Sequence, residues 1–109
     1  VDKSAALEAI ERFRVALEKL GIRASKVILY GSYATGNWRE GSDIDVVVIS
    51  GDFAGKGYWE RIDLLAKAVC EVWKPIEAVA MTPEEWAAGD SMIAELARNG
   101  ELVFAAEAG

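Results

Sequence analysis

Gly31-Ser32-Tyr33-Ala34-Thr35-Gly36-Asn37-Trp38-Arg39-Glu40-Gly41-Ser42-Asp43-Ile44-Asp45 is the stretch on which the reading of this chain turns. A Gly-Ser pair leaves the apolar run Lys26-Val27-Ile28-Leu29-Tyr30, ten residues follow Ser32, and Asp43-Ile44-Asp45 then opens a β-branched run that ends at Ser50. A short continuous apolar run stopped by glycine reads as a buried strand. Residues two apart on a strand point the same way, so Asp43 and Asp45 share a face with α-carbons about 7 Å apart. Two carboxylates so placed repel and need a counter-charge. A divalent cation supplies one, and hard oxygen ligands suit Mg2+ or Mn2+. Gly31 lets the backbone bend and a ligand come close. Ser32 adds a hydroxyl and an N–H where a helical turn can begin, an arrangement suited to phosphate. Each piece alone has a plainer reading, a solvated strand end for Asp-x-Asp and an ordinary turn for Gly-Ser.

Outward from this stretch the chain alternates helix and strand. The first twenty residues carry Leu7, Ile10, Phe13, Leu17 and Leu20 at spacings of three and four, which predicts an amphipathic helix. Asp2 or Ser4 can cap its start, and Gly21 follows its last turn. Tyr58 to Trp73 predict a second long helix with Ile62, Leu65, Ala66, Val69 and Val72 on one face, stopped by Pro75. Ile76 to Met81 read as a third strand. Thr82-Pro83-Glu84-Glu85 is a capping-box start with proline at the first helical position. A short helix follows it, then another from about Ser91 to Asn99, and Glu101 to Ala105 complete a terminal edge strand. The expected fold class is mixed α/β (α+β), one small mixed sheet with helices packed on one face. The unit from Asp43 to Met81 should be a parallel crossover. The opposite sheet face, with Val47 and Ile49 continuing the face of Asp45, is expected to stand open as an interaction surface.

The 109 residues are expected to form a single domain, residues 1–109. Twelve Lys and Arg against 18 Asp and Glu give a net charge of −6, which argues against direct nucleic-acid binding. The absence of histidine removes Ser-His-Asp and Cys-His chemistry, so carboxylates must carry any catalysis. Apolar runs fall short of the roughly 20 residues of a membrane span. The single cysteine, Cys70, allows no internal disulfide and fits a reducing, cytoplasmic setting, and it is expected on or beside the buried side of its helix.

The combination of Gly31-Ser32, ten residues and Asp43-x-Asp45 resembles the nucleotidyltransferase superfamily related to DNA polymerase beta, and is most similar to its minimal members. Gly36, Ser42 and the segment from Thr82 to Phe104 fit the same layout, so the resemblance covers most of the chain. It implies transfer of a nucleoside monophosphate, AMP from ATP, to an acceptor hydroxyl with release of pyrophosphate. Asp43, Asp45 and Glu77 are the implied catalytic and Mg2+ (or Mn2+) ligands, with Gly31, Ser32, Arg39 and Ser42 toward the nucleotide. Two positions depart from the pattern. Glu77 stands where the family more often has Asp, and Tyr33 and Thr35 stand where many members have arginine, with Arg39 as a candidate replacement. The resemblance further implies a helical HEPN-type protein partner in a toxin–antitoxin pair, with a tyrosine of the toxin as acceptor, or a homo-oligomer. The alternatives are a non-catalytic nucleotide- or partner-binding module and the catalytic part of an antibiotic-modifying nucleotidyltransferase.

Two further features read differently. Gly51-x-x-x-Gly55-Lys56-Gly57 sits between strand and helix like a P-loop, but has three residues between its glycines rather than four and no Ser or Thr after lysine. It reads as a mobile loop whose Lys56 could approach a phosphate. Trp38, Trp59, Trp73 and Trp86 read as packing residues before they read as a base-stacking platform.

Overall fold

The computed structural model describes residues 2–106. Its elements are α1 (Lys3–Lys19), β1 (Lys26–Tyr30), α2 (Ser32–Thr35), β2 (Ile44–Ile49), a 3₁₀ turn (Gly51–Phe53), α3 (Tyr58–Val72), β3 (Ile76–Met81), α4 (Pro83–Ala88), α5 (Met92–Ala97) and β4 (Glu101–Ala105). The four strands form one sheet in the order β3-β2-β1-β4. β1 runs antiparallel to both β2 and β4, whereas β2 and β3 are parallel. The mixed sheet, the crossover through α3 and the edge position of β4 match the expectations drawn from the sequence.

Local chemistry explains where elements begin and end. Asp2 caps α1 by accepting the Ala5 N–H at 2.8 Å, satisfying one of the donors a helix start leaves over. At α4 the Thr82 hydroxyl accepts the Glu85 N–H at 3.1 Å and the Glu85 carboxylate accepts the Thr82 N–H at 2.8 Å, the reciprocal pair of a capping box. The last residue after α3, Trp73, takes φ 59°, an uncommon conformation for a non-glycine residue.

α1 and α3 pack on one face of the sheet. Ile10, Phe13 and Leu17 meet Leu65, Ala68 and Val72 over Val27, Leu29, Val46 and Val48. Each such side chain taken fully from water contributes roughly 1.5–3 kcal/mol before entropy is counted. Leu7 and Leu20 lie at the margin of this stripe and are exposed, as are Ile62 and Ala66 on α3, where Ala68 faces inward instead. Cys70 is exposed, not buried, because it falls on the outer side of α3.

The opposite face corrects an expectation. It is not open: Val47 and Ile49 are buried with Ile28 and Met81 beneath Ala94 and Ala97 of α5, with Trp86 and Ile93 alongside. The two short C-terminal helices close over the half of this face that lies away from Asp45. No helix among the described residues is long and apolar enough to cross a membrane.

Candidate functional site

Strand pairing assembles the site. Asp45 is opposite Tyr30 across the β1–β2 pair and opposite Glu77 across the β2–β3 pair. Neighbouring strands lie about 4.8 Å apart, so the three side chains form a row across the sheet on the face that also carries Val47. This row lies where β1 ends and β2 and β3 begin. Asp43 stands just outside β2, in the exposed turn that leads into it. The expected meeting of Asp45 with Glu77 is thus observed, and Asp43 acts on it from one step further out.

The electrostatics follow from that arrangement. The Asp45 carboxyl is raised from 3.8 to about 6, first by burial, then by the charge and hydrogen bonding of Glu77, then by the charge of Asp43. Tyr30 is raised for the same reasons, burial first and then Asp45 and Glu77. Among the described residues no Lys or Arg forms a salt bridge with Asp43, Asp45 or Glu77. Among the described residues no ion pair offsets that repulsion.

Gly31 closes the site from the β1 side. It takes φ 73° and ψ −152° at the start of α2, a combination essentially restricted to glycine. A Cβ there would also run into the Asp45 carboxylate. Ser32 is half-buried in the turn that follows, and the carbonyl of Gly31 accepts from the N–H groups of Ala34 and Thr35 at 3.1 and 3.2 Å.

The loop between Gly31 and Asp43 has its own anchors. Tyr33 is buried and stacks on Trp38, with ring centroids 5.6 Å apart and planes 5° from parallel. The Ser42 hydroxyl accepts the Arg39 N–H at 2.8 Å, and the Ser42 N–H donates to the Arg39 carbonyl at 2.9 Å. Ser42, through its hydroxyl and its N–H, thus holds the backbone of Arg39, and the Arg39 residue is exposed. Lys56 lies beyond the far end of β2, in a cavity beside Ala78 and Ala80 rather than beside Asp45. Trp59 and Trp73 are 76% and 88% exposed, so two of the four tryptophans do not pack in the core. Tyr30 stands in this row although its apolar run reads as uniformly buried, and its place immediately before Gly31 is the sequence feature that points to it.

Could these residues hold a metal ion? Among the described residues no group of three His, Cys, Asp or Glu is arranged to do so alone. Mg2+ rarely requires that, since it is commonly held by one or two carboxylates plus water and substrate phosphates. Asp45 and Glu77, all-oxygen and without a cationic partner, fit such a partial ligand set.

Comparison with known proteins agrees with this geometry. Residues 10–84 match the model of the nucleotidyltransferase domain family. A Methanocaldococcus jannaschii protein named as a protein adenylyltransferase is 37% identical over 78 residues, covering 71% of this chain and 74% of its own. A crystal structure from Sulfolobus solfataricus, named as a nucleotidyltransferase, superposes with TM-score 0.69 at 13% identity, covering 92% of this chain and 80% of that one. A toxin–antitoxin crystal structure with AMP-PNP superposes with TM-score 0.62 at 18% identity over 93% of this chain and 74% of that chain. At those identities the two structures speak for the fold. With the family model spanning both the Gly-Ser turn and the three carboxylates, the chain belongs to the nucleotidyltransferase domain family and is a nucleotidyltransferase of the polymerase beta-like superfamily.

Proposed function

We propose that this nucleotidyltransferase moves AMP from ATP to a hydroxyl of a protein, with Mg2+ or Mn2+, as the antitoxin side of a toxin–antitoxin pair. The observation that carries the proposal is the row Tyr30, Asp45 and Glu77 with Asp43 beside it, acidic and without a cationic partner among the described residues. Asp45 and Glu77, with Asp43, would hold the ion. When bound, it would draw the triphosphate oxygens together and offset charge on departing pyrophosphate. Gly31 and Ser32 lie where the phosphates would rest against backbone. Arg39, exposed on the same loop, would pair with a phosphate, and Ser42 would serve it by fixing the loop's turn. Glu77, on the outer strand of the row, would take the proton of the incoming hydroxyl.

The relative named as a protein adenylyltransferase supports a protein acceptor. The toxin–antitoxin structure with AMP-PNP supports both ATP and a paired toxin. A HEPN-type helical toxin, modified on tyrosine in the cytoplasm, is the form this reading takes. The test is incubation with α-labelled ATP and Mg2+, with and without a purified HEPN-type protein. Label should appear on a tyrosine of that protein and be lost in Asp45→Asn. Label on a small molecule with no other protein present would overturn the reading in favour of an antibiotic-modifying enzyme.

A further inference from the structure

The two edges of the sheet are treated differently. At β4 the Lys3–Glu101 ion pair sits at the strand's start, and a register shift interrupts its pairing with β1 between Val27 and Ile28. Such charges and irregularities guard an edge against further pairing. β3, Ile76-Glu77-Ala78-Val79-Ala80-Met81, has no lysine, proline or bulge.

Its backbone points outward at defined places. The Ile44 N–H donates to the Pro75 carbonyl at 2.8 Å and the Ser50 N–H to the Met81 carbonyl at 2.9 Å. In that parallel pattern the odd-numbered residues of β3 face β2, and Ala78 and Ala80 turn N–H and C=O to the open edge. The next outward donor, the Thr82 N–H, is already taken by Glu85. At the other end the Ile76 N–H is taken by the Lys74 carbonyl at 2.8 Å, so the open stretch runs from the Ile76 carbonyl to Ala80, with Ala78 and Ala80 as its donors.

Beside it runs a groove of about 440 Å³. Tyr58, Ile62 and Leu65, a stripe at i, i+4 and i+7 along α3, form its apolar wall. Arg61 and Lys56 stand at its rim. Arg61 is bound to Glu85 at 2.7 Å, whereas Lys56 makes no salt bridge among the described residues.

We propose that the β3 edge from Ile76 to Ala80 accepts an extended acidic segment of a partner protein as a fifth strand, with a carboxylate of that segment at Lys56. Main-chain bonds to Ala78 and Ala80 give affinity, and alternate apolar side chains against Tyr58 and Ile62 give selectivity, as in strand addition generally. Charge decides the occupant. Arg61 is already met by Glu85, and the ammonium of Lys56, which makes no salt bridge among the described residues, is left for a carboxylate of the added strand. The inference is independent of the transfer reaction.

The test begins with random heptapeptides displayed on phage and selected against the full chain. A selected peptide, made synthetically, is then titrated while amide exchange is followed. Acidic peptides with alternating β-branched residues are expected, slowing exchange at Ala78 and Ala80. Lys56→Glu should weaken binding about tenfold or more, the loss of a well-placed ion pair. Ala80→Pro should abolish it, since proline removes only an outward N–H that the β2 ladder does not use. If Ala80→Pro fails to fold by circular dichroism, Lys56→Glu and the exchange pattern decide. Selection of no acidic extended peptide, or binding unchanged in Lys56→Glu, would overturn the proposal. So would a dimer in sedimentation equilibrium that Ala80→Pro dissociates.

Discussion

Gly31 backs directly onto Asp45: a Cβ built at residue 31 would lie 3.2 Å from the Asp45 Cγ and closer still to Oδ2. Gly31→Ala is therefore opposed twice, by that contact and by a φ of 73° with ψ near the extended range. Backbone strain of this kind costs about 1–3 kcal/mol, and each kcal/mol lowers Tm by roughly 4–8 °C in a chain of this size. The variant should melt lower and transfer no AMP, because Asp45 is pushed out of the row. A calorimetric scan and a transfer assay that both match the parent would refute the assigned contact.

Asp45 makes the metal-free chain pH-sensitive in a definite direction. Its carboxyl, raised to about 6 in the fold by burial and then by Glu77, is an ordinary carboxylate when unfolded. The folded chain thus holds that proton more tightly. Ionisation costs stability as pH rises from about 4 to about 6, and below that range the cost is absent. Asp45→Asn should melt above the parent near neutral pH without divalent ions, with the gain vanishing near pH 4. A pH-independent difference in Tm would count against the arrangement.

Bound ligand should reverse that cost. Mg2+ with ATP at a hundredfold excess over the dissociation constant adds about 2.7 kcal/mol to the parent. The shift should be missing in Asp43→Asn/Asp45→Asn. An equal thermal shift in parent and double variant would remove the carboxylates from the nucleotide site.

The cap of α4 yields a separate prediction. Thr82→Ala removes the acceptor of the Glu85 N–H and should cost about 1 kcal/mol, read from chemical denaturation. Glu85 is held below the usual carboxylate range, first by the Arg61 guanidinium and then by the Thr82 N–H. Its contribution is present above that usual range and fades as pH falls through the lowered value. Glu85→Gln should therefore cost stability near neutral pH and progressively less in acid. A Glu85→Gln deficit that grows in acid would contradict this.

Gly100 and Gly51 make an internal control. A Cβ at Gly100 would meet the Leu29 carbonyl oxygen at 2.6 Å, Ile28 Cγ2 at 2.8 Å and the Ala97 carbonyl oxygen at 3.0 Å, whereas at Gly51 nothing lies within 4 Å. Backbone atoms cannot swing aside, so Gly100→Ala should cost about 1–3 kcal/mol, as overpacking does. Gly51→Ala should be neutral or slightly stabilising. Equal denaturation midpoints for the two variants would show that the α5–β1 approach is looser than described.

Those contrasts also mark what could be read from the chain beforehand. Val46, Val48 and Ile49 announce β2 through β-branching, and Thr82-Pro83-Glu84-Glu85 announces the start of α4, because both signals are local. Which helix covers which sheet face is not local. Val47 and Ile49 carry the same alternation whether α5 lies over them or not, and the expectation of an open face failed there. Asp45 and Glu77 could be brought together on paper because a parallel crossover aligns strand starts. Tyr30 could not be added to them without the β1–β2 register, which depends on pairing between segments fifteen residues apart at their closest site partners. Cys70 faces outward, off the expected stripe, because an alanine, Ala68, takes an inward place on α3 between Leu65 and Val72.

The Tyr33–Trp38 stack has one more consequence, for observation in solution. Of the four tryptophans, Trp59 meets Tyr58 edge to face and is largely exposed, Trp73 is largely exposed and Trp86 lies near α5, whereas Trp38 is stacked on Tyr33 inside the loop that joins Gly31 to Asp43. With the other three replaced by phenylalanine, the emission of Trp38 becomes a gauge of that loop alone. Its colour and anisotropy would then register, in real time, whether the segment tightens or loosens as the neighbouring carboxylates take up their load.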